Sequence, residues 1–356
     1  MKIRISVILS MILALVLTTD ISADVDDYEN RYVEMTLSRY DDAVITISVI
    51  DGSDRSYYVY TEDGTEENDE VYQYEIGSIT KTFNGILTAR AIEDDKLSLD
   101  DTIDDILDFE RNRNFPTVEE LLTHTSGYAS IYYSEESNDR NNPFAGISKT
   151  EVLRQAEEFV SRRDAYQYSN FGAAVLGLVL EEVEDESYDV MIEELFDEFA
   201  MDNSIVYSET EILVIEEDWE WNEDDAYIPV GSIISDVEDM MNYMQVNIDS
   251  ELDGVERSHM MLESLDRNPQ RIRDLEIRLD GIGYHWRIDE ENEIYYHSGQ
   301  TSDYGSYLAF NKEEEVGVVV LVNTPPARTP SLPVLIGVDI MHDLLDIDNM
   351  NDRRRR

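Results

Sequence analysis

The sequence predicts a mixed α/β (α+β) fold: an antiparallel sheet flanked by helices, with a mainly helical lobe between its strands. Three observations carry this. Runs rich in β-branched and aromatic residues fall at the two ends of the chain, at 43–61 and 283–323. The stretch between them repeats apolar residues at helical spacing. A last helical pattern follows the final strand run, so strands from both ends can complete one sheet around inserted helices.

In chain order, Val33, Leu37 and Tyr40 share helical spacing within 27–40. Runs 43–50 and 55–61 flank Asp51-Gly52-Ser53-Asp54, which reads as a hairpin turn. A helix is expected over 79–94, with Phe83, Ile86, Leu87 and Ala91 on one stripe, and another over 116–122, stopped by His124-Thr125-Ser126-Gly127. After a polar loop over 128–143, helices are expected at 149–161, 170–184 and 187–198. An acidic, mostly loop stretch over 209–225 precedes a helix over 235–244, where Met240, Met241 and Met244 read as core. Strands are expected at 283–288, 294–297, 304–310 and 316–323, and a closing helix at 333–345. There is no internal repeat and no long linker.

The first residues read as a secretory signal. Lys2 and Arg4 precede an apolar run, and Ile21-Ser22-Ala23 offers a cleavage point after Ala23. The run is short for a membrane span, which needs about 20 residues. The expected organisation is a signal peptide over 1–23, one catalytic domain over 24–348 and a disordered basic tail over 349–356. An uncleaved N-terminal anchor is the alternative. Secretion, or another extracytoplasmic location, follows from this reading.

Charge is the unusual bulk property. There are 80 Asp and Glu against 27 Lys and Arg, for a net charge of −53. Lysines occur only at 2, 81, 96, 149 and 312. Such a surface repels nucleic acid and anionic membranes, which excludes both as partners. It also destabilises the compact state unless salt screens it, the expectation for a protein living in high salt. The absence of cysteine excludes disulfides, thiolate metal sites and a cysteine nucleophile.

The candidate chemistry begins at Ser78-Ile79-Thr80-Lys81. A serine hydroxyl needs a neighbouring base to act as a nucleophile. Serine at a helix N-terminus with lysine three residues on puts both on one face. The helix N-terminus offers free N–H groups to a developing oxyanion, and burial helps lysine lose its proton. Tyr168-Ser169-Asn170 lies just before a predicted helix; the tyrosine can pass a proton if positive charge lowers its pKa, and Asn170 can orient a substrate amide and the lysine. His297-Ser298-Gly299 ends a predicted strand, where Gly299 would let a substrate backbone approach. The Gln300 N–H is a candidate second oxyanion donor. Each segment alone is also read as an ordinary cap, turn or strand end.

Together these segments resemble the serine β-lactamase and penicillin-binding-protein family, in its class C β-lactamase-related branch. The resemblance rests on Tyr74 to Phe83 around the nucleophile, Leu97-Ser98-Leu99-Asp100-Asp101, Leu121 to Gly127, Tyr168 to Gly172, Gly231 to Ser235, and His297 to Gln300 with Tyr304 to Phe310. It spans about residues 30 to 345 in the family's order. It implies a β-lactamase/transpeptidase-like fold and an acyl-enzyme mechanism. Ser78 would be the nucleophile, Lys81 and Tyr168 would handle the proton, and the Ser78 and Gln300 N–H groups would hold the oxyanion. Asn170, His297, Ser298 and Gly299 would position substrate. No metal or organic cofactor is implied, and the partner is a small-molecule ester or amide.

His297 departs from the family, which usually has lysine there. Histidine is cationic only part of the time near neutral pH, and histidine here resembles the esterase and aminopeptidase-like relatives. This favours an ester or small amide over a β-lactam, and the surrounding acid favours neutral or cationic substrates. The alternatives are a D-alanyl carboxypeptidase or β-lactamase and, from another class, a catalytically inactive binding protein on the same fold. His124 reads as structural, and His259, His285 and His342 are scattered with no metal-ligand spacing. The acidic runs 100–108 and 216–225 read as solvated surface rather than calcium loops. Trp219 and Trp221 are read either as cleft lining or as buried loop anchors.

Overall fold

A computed structural model describes residues 31–62, 64–66, 72–109, 113–132, 142–159, 165–206, 219, 221–265, 278–324 and 332–347. The signal segment, the basic tail and most of the acidic loop over 209–225 lie outside the described residues.

Strands β1 (Ile45–Asp51), β2 (Asp54–Thr61) and β3 (Gly64–Glu66) come from the N-terminal part of the chain. β6 (Glu263–Ser264), β7 (Gly281–Ile282), β8 (Arg287–Asp289), β9 (Ile294–Gln300), β10 (Gly305–Asn311) and β11 (Val316–Val322) come from the C-terminal part. All nine form one antiparallel sheet in the order β3-β2-β1-β11-β10-β9-β8-β7-β6. The join expected between the two ends is the β1–β11 pair, running from Ile45 opposite Val322 to Asp51 opposite Val316.

Alternation along these strands serves two cores. Ile45, Ile47 and Val49 with Val316, Val318 and Val320 face the closing helix. Ile50, Val319, Leu321, Leu308 and Phe310 face the helical lobe. Central strands buried on both faces read as continuous apolar runs, as Val316–Val322 does.

The helices in chain order are α1 (Arg31–Leu37), α2 (Thr80–Glu93), α3 (Ile103–Ile106), α4 (Val118–Leu122), α5 (Lys149–Glu158), α6 (Asn170–Glu184), α7 (Tyr188–Glu198), α8 (Ile228–Gly231), α9 (Val237–Asp249), α10 (Val255–Ser258) and α11 (Leu332–Leu344). Their starts follow local chemistry. Thr117 and Glu120 form a capping box on α4. Ser148, Ser169 and Asp236 cap α5, α6 and α9 through side-chain oxygens. Helix α9 runs past the expected Met244 to Asp249, where Ser250 turns left-handed. Met240 and Met244 are buried in the helical-lobe core as expected.

One expected strand is not continuous. Of the run 283–288 only Arg287 and Ile288 are strand, in β8, because Gly283 to Trp286 form a tight reversal after β7, closed by the Gly283 N–H on the Trp286 carbonyl. His285 takes a left-handed conformation there, with φ +65. Left-handed backbone is rare for a non-glycine residue, so alternating apolar residues gave no warning of it. The reversal turns the His285 ring into the helical lobe, beside the His124 ring.

Candidate active site

The site forms where α2, α6, α8 and the C-terminal half of β9 meet. The short pair β4 (Tyr74–Glu75) and β5 (Ile234–Ser235) anchors the approach to Ser78. Ser78 then sits in a 3-10 turn over Gly77–Ile79 that leads directly into α2. Gly77 has φ +51, and a Cβ there would lie 2.6 Å from the Gln300 nitrogen. Only glycine lets the Ser78 turn press this closely against the end of β9.

Strand β9 pairs with β10 along its length, but with β8 only over Ile294–Tyr296. Residues 297–300 therefore present a sheet edge that no described strand covers. The Thr301 N–H bonds the Tyr304 carbonyl across to the β10 side. Alternation then turns the Gln300 N–H to the open edge, beside the Ser78 turn. The Ser78 N–H occupies the first turn of its helix, where amides lack helical partners. The Ser78 and Gln300 amides thus belong to the two backbone segments that press together here.

Lys81 is fully buried on the first turn of α2. Its Nζ lies 3.0 Å from Ser78 Oγ and donates to the Val230 carbonyl at 2.7 Å. Burial, and secondarily the charge of Arg287, hold the Lys81 ammonium well below the usual lysine range. Tyr168 precedes the Ser169 cap of α6 and stands within hydrogen-bonding reach of Ser78. Its ring centroid is 5.4 Å from Lys81 Nζ. Burial pushes the Tyr168 phenol up to about 12, against a smaller downward pull from Arg287. The condition set for Tyr168 is met only in part: Arg287 does pull its pKa down, but desolvation outweighs it and favours the neutral phenol.

Three imidazoles pack behind this pair. His124 lies 4.5 Å from the Tyr168 ring and 4.9 Å from His285, and His297 lies 6.3 Å from Tyr168. His124 holds the tyrosine segment in place: its Nδ1 accepts the Ser169 N–H and its carbonyl accepts the Gln167 N–H. Its structural role as a helix stop stands, with φ +58, but it acts on the site. Burial first, with neighbouring positive charge second, holds His124 and His297 well below the ordinary histidine range and takes His285 to about 3. His297 donates from Nδ1 to the Ser298 carbonyl. Among the described residues, no three acids or histidines are grouped to hold a metal ion.

Two expectations need correction. Gly299 was expected to admit a substrate backbone. A Cβ there would instead fall on the chain's own Ile76 carbonyl oxygen, so the glycine is demanded by close packing of β9 on the Ser78 turn. Asn170 was expected to orient Lys81. It opens α6 with its N–H on the Ser130 carbonyl, and its carboxamide bonds neither Lys81 nor Ser78. Its buried Oδ1 is left without a partner among the described residues. The Val230 carbonyl on α8 takes the lysine instead. The tryptophans divide the two readings offered for them. Trp221 is a buried anchor, whereas half-buried Trp219 bridges the Glu75 carboxylate and the Ser302 hydroxyl beside the end of β9.

The sequence reading missed Val230, His285 and Arg287. Arg287 opens β8, its guanidinium 5.3 Å from the Tyr168 ring centroid and its Nη1 donating to Ser298 Oγ at 3.4 Å.

A serine 3.0 Å from the nitrogen of a buried lysine is the pairing that a serine hydrolase needs. The profile of the Beta-lactamase family matches residues 45–336, and the chain belongs to this family of serine hydrolases. Protein flp of Staphylococcus aureus (strain MRSA252) is 24% identical over 293 residues, covering 76% of this chain and 56% of the relative. The chain thus spans little more than half of the curated relatives it matches. The octameric penicillin-binding protein homologue from Pyrococcus abyssi superposes with a TM-score of 0.72 at 23% identity, over 91% of this chain and 78% of that one. A β-lactamase/D-alanine carboxypeptidase from Yersinia pestis superposes with a TM-score of 0.73 at 18% identity, over 90% and 97%. These likenesses agree with the antiparallel sheet and helical lobe predicted from the sequence. No described helix is long and apolar enough to cross a membrane.

Proposed function

We propose that the chain is an exported serine hydrolase that cleaves esters or small amides through an acyl-enzyme. The observation that carries this reading is the 3.0 Å approach of Lys81 Nζ to Ser78 Oγ, with the lysine fully buried. A neutral amine keeps one lone pair for the Ser78 proton while an N–H stays on the Val230 carbonyl. Ser78 attacks the acyl carbon, and the carbonyl oxygen gathers negative charge between the Ser78 and Gln300 amides. The proton passes through Lys81 and Tyr168 to the leaving group, and water then releases the acyl group by the reverse route. His297 and Gly299 shape the β9 edge on which the substrate lies. With the family's usual lysine absent and His297 held neutral, ester or small amide substrates are favoured over β-lactams.

The test is hydrolysis of p-nitrophenyl acetate and butyrate by purified protein, wild type against Ser78→Ala, in molar KCl and in dilute buffer. Turnover that disappears with Ser78→Ala supports the reading. Folded wild-type protein with no Ser78-dependent turnover, and no labelling by a tagged penicillin, overturns it in favour of a non-catalytic binding protein.

A further inference from the structure

Of the non-glycine residues with left-handed backbone, only His124 and His285 are buried among the described residues, and their rings lie 4.9 Å apart. The others turn at exposed or half-buried positions. His285 carries a second cost. Both of its ring nitrogens are buried without a hydrogen-bond partner among the described residues. Strained backbone and an unsatisfied buried imidazole each destabilise a fold, and both fall on one residue near Lys81. Helix α2 is shaped to receive this reversal. A Cβ on Gly85, one helical turn past Lys81, would lie 2.2 Å from the Tyr284 carbonyl oxygen.

The neighbouring imidazoles have open nitrogens of opposite sense. His124 Nδ1 accepts the Ser169 N–H, so the proton of the neutral ring sits on Nε2, a buried donor with no partner among the described residues. His297 Nδ1 donates to the Ser298 carbonyl, so its Nε2 is a buried acceptor, open in the same way. A neutral His285 has one acceptor and one donor, the complement of these two. A ring N–H···N bond of about 3 Å sets imidazole centroids about 5 Å apart, the spacing of His124 and His285. His285 is also near enough to His297 to bear on its protonation. Both His124 and His297 border the Tyr168 ring, at 4.5 and 6.3 Å.

We propose that His285 is a positioning residue that joins His124 to His297, accepting from His124 Nε2 and donating to His297 Nε2. The joined rings brace the segment that carries Tyr168 against the strand that carries Gln300. This rests on the serine-hydrolase reading and deepens it. The brace requires three neutral rings, and burial first, then nearby positive charge, favours that form.

The experiment uses the protein with 15N-labelled histidine, five residues in the whole chain. Long-range 1H–15N spectra near pH 7 read the tautomer of each ring. The expected result is Nε2–H at His124, Nδ1–H at His297 and a coupling across the hydrogen bond between the His124 and His285 nitrogens. The opposite tautomer at either ring, or no such coupling, overturns the proposal whether or not any ester is hydrolysed. Turnover gives a second readout. His285→Gly and His285→Asn both accept left-handed backbone, but only asparagine keeps a donor and an acceptor. His285→Gly should lower kcat for p-nitrophenyl butyrate about 10- to 100-fold with KM little changed, because the proton-handling group is misplaced while substrate binding is spared. His285→Asn should recover part of the loss. Wild-type kcat in His285→Gly protein shown folded by circular dichroism, or an equal loss in both variants, overturns the brace and leaves the hydrolase reading intact. A wild type without Ser78-dependent turnover sinks the hydrolase reading instead, and the spectra then decide the brace alone.

Discussion

The Lys81 ammonium nitrogen donates to the Val230 carbonyl at 2.7 Å, across 149 residues of sequence. The same nitrogen makes a second hydrogen bond, to Ser78 Oγ at 3.0 Å. In the proposed mechanism catalysis depends on Lys81 being neutral, and burial first, then Arg287, favour that form. The acid limb of kcat/KM should therefore reflect Lys81 protonation, with activity lost as pH falls through its depressed pKa. No basic limb should come from Tyr168, whose phenol is pushed up to about 12. Arg287→Gln should move the acid limb to higher pH, since one of the two causes of the depression is gone. A pH–rate profile on a neutral ester checks this, and an acid limb that stays in place would show that Lys81 is not the titrating group.

Close backbone packing gives a second prediction. Gly299→Ala would drive a methyl group into the Ile76 carbonyl, which also accepts the Ser306 hydroxyl at 2.7 Å. Overpacking of this kind costs about 1–3 kcal/mol. Here the displaced atoms lead straight into the Ser78 turn, so misplacement should also lower kcat/KM about 100-fold. Urea unfolding and ester turnover read the two effects separately. An alanine variant with wild-type rates would mean that the β9 edge and the nucleophile turn are not rigidly coupled.

How far the site was legible follows from how local each part is. Ser78, Lys81 and the start of α2 lie within one helical turn, and Tyr168 precedes a serine cap, so their residue types and spacing carried the reading. Helix α6 matched its expected range because Ser169 caps it and an unbroken apolar stripe follows. Arg287 and His285 were illegible for a different reason. Their placement depends on a left-handed residue inside an alternating apolar run, and alternation alone reads such a run as a straight strand. Val230 contributes a main-chain carbonyl, which no side-chain pattern announces. Gly299 was noticed as a glycine but assigned to the substrate, because the Ile76 carbonyl opposite it comes from 223 residues earlier in the sequence.

Asp239 supplies a stability prediction away from the site. Its carboxylate is buried on α9, accepting the Ser204 hydroxyl at 2.7 Å and the Asn203 N–H at 2.8 Å, with Asp236 nearby and no cation among the described residues paired to it. Burial, with repulsion from Asp236 as a lesser cause, pushes it up to about 6. A carboxyl raised in the folded state binds its proton more tightly there than in the unfolded chain. The site is therefore most favourable at low pH and loses stability as pH rises from about 4 through 6. Asp239→Asn keeps an oxygen acceptor and removes the charge. It should stabilise the protein by about 1 kcal/mol near pH 7.5 and make little difference near pH 4. Urea unfolding at the two pH values measures this; equal effects at both would mean that Asp239 is not the titrating group.

The last prediction concerns salt. A net charge of −53 places like charges close together over the surface. Ion pairs such as Lys149–Glu181 and Lys312–Glu256 can neutralise only a fraction of 80 acids with 27 basic residues. The remaining repulsion is long-range and disappears from the unfolded chain as its charges spread apart. The screening length falls from about 10 Å at 0.1 M salt to about 3 Å at 1 M, so added KCl should stabilise the folded state chiefly by removing this repulsion. The urea midpoint and Tm should both rise steeply up to about 1 M KCl and then flatten. Sucrose, which strengthens burial without screening charge, should give a smaller rise and separates the two causes. A chain equally stable in dilute buffer and in molar KCl would show that the fold tolerates its own charge, and that its acidity is not an adaptation to salt.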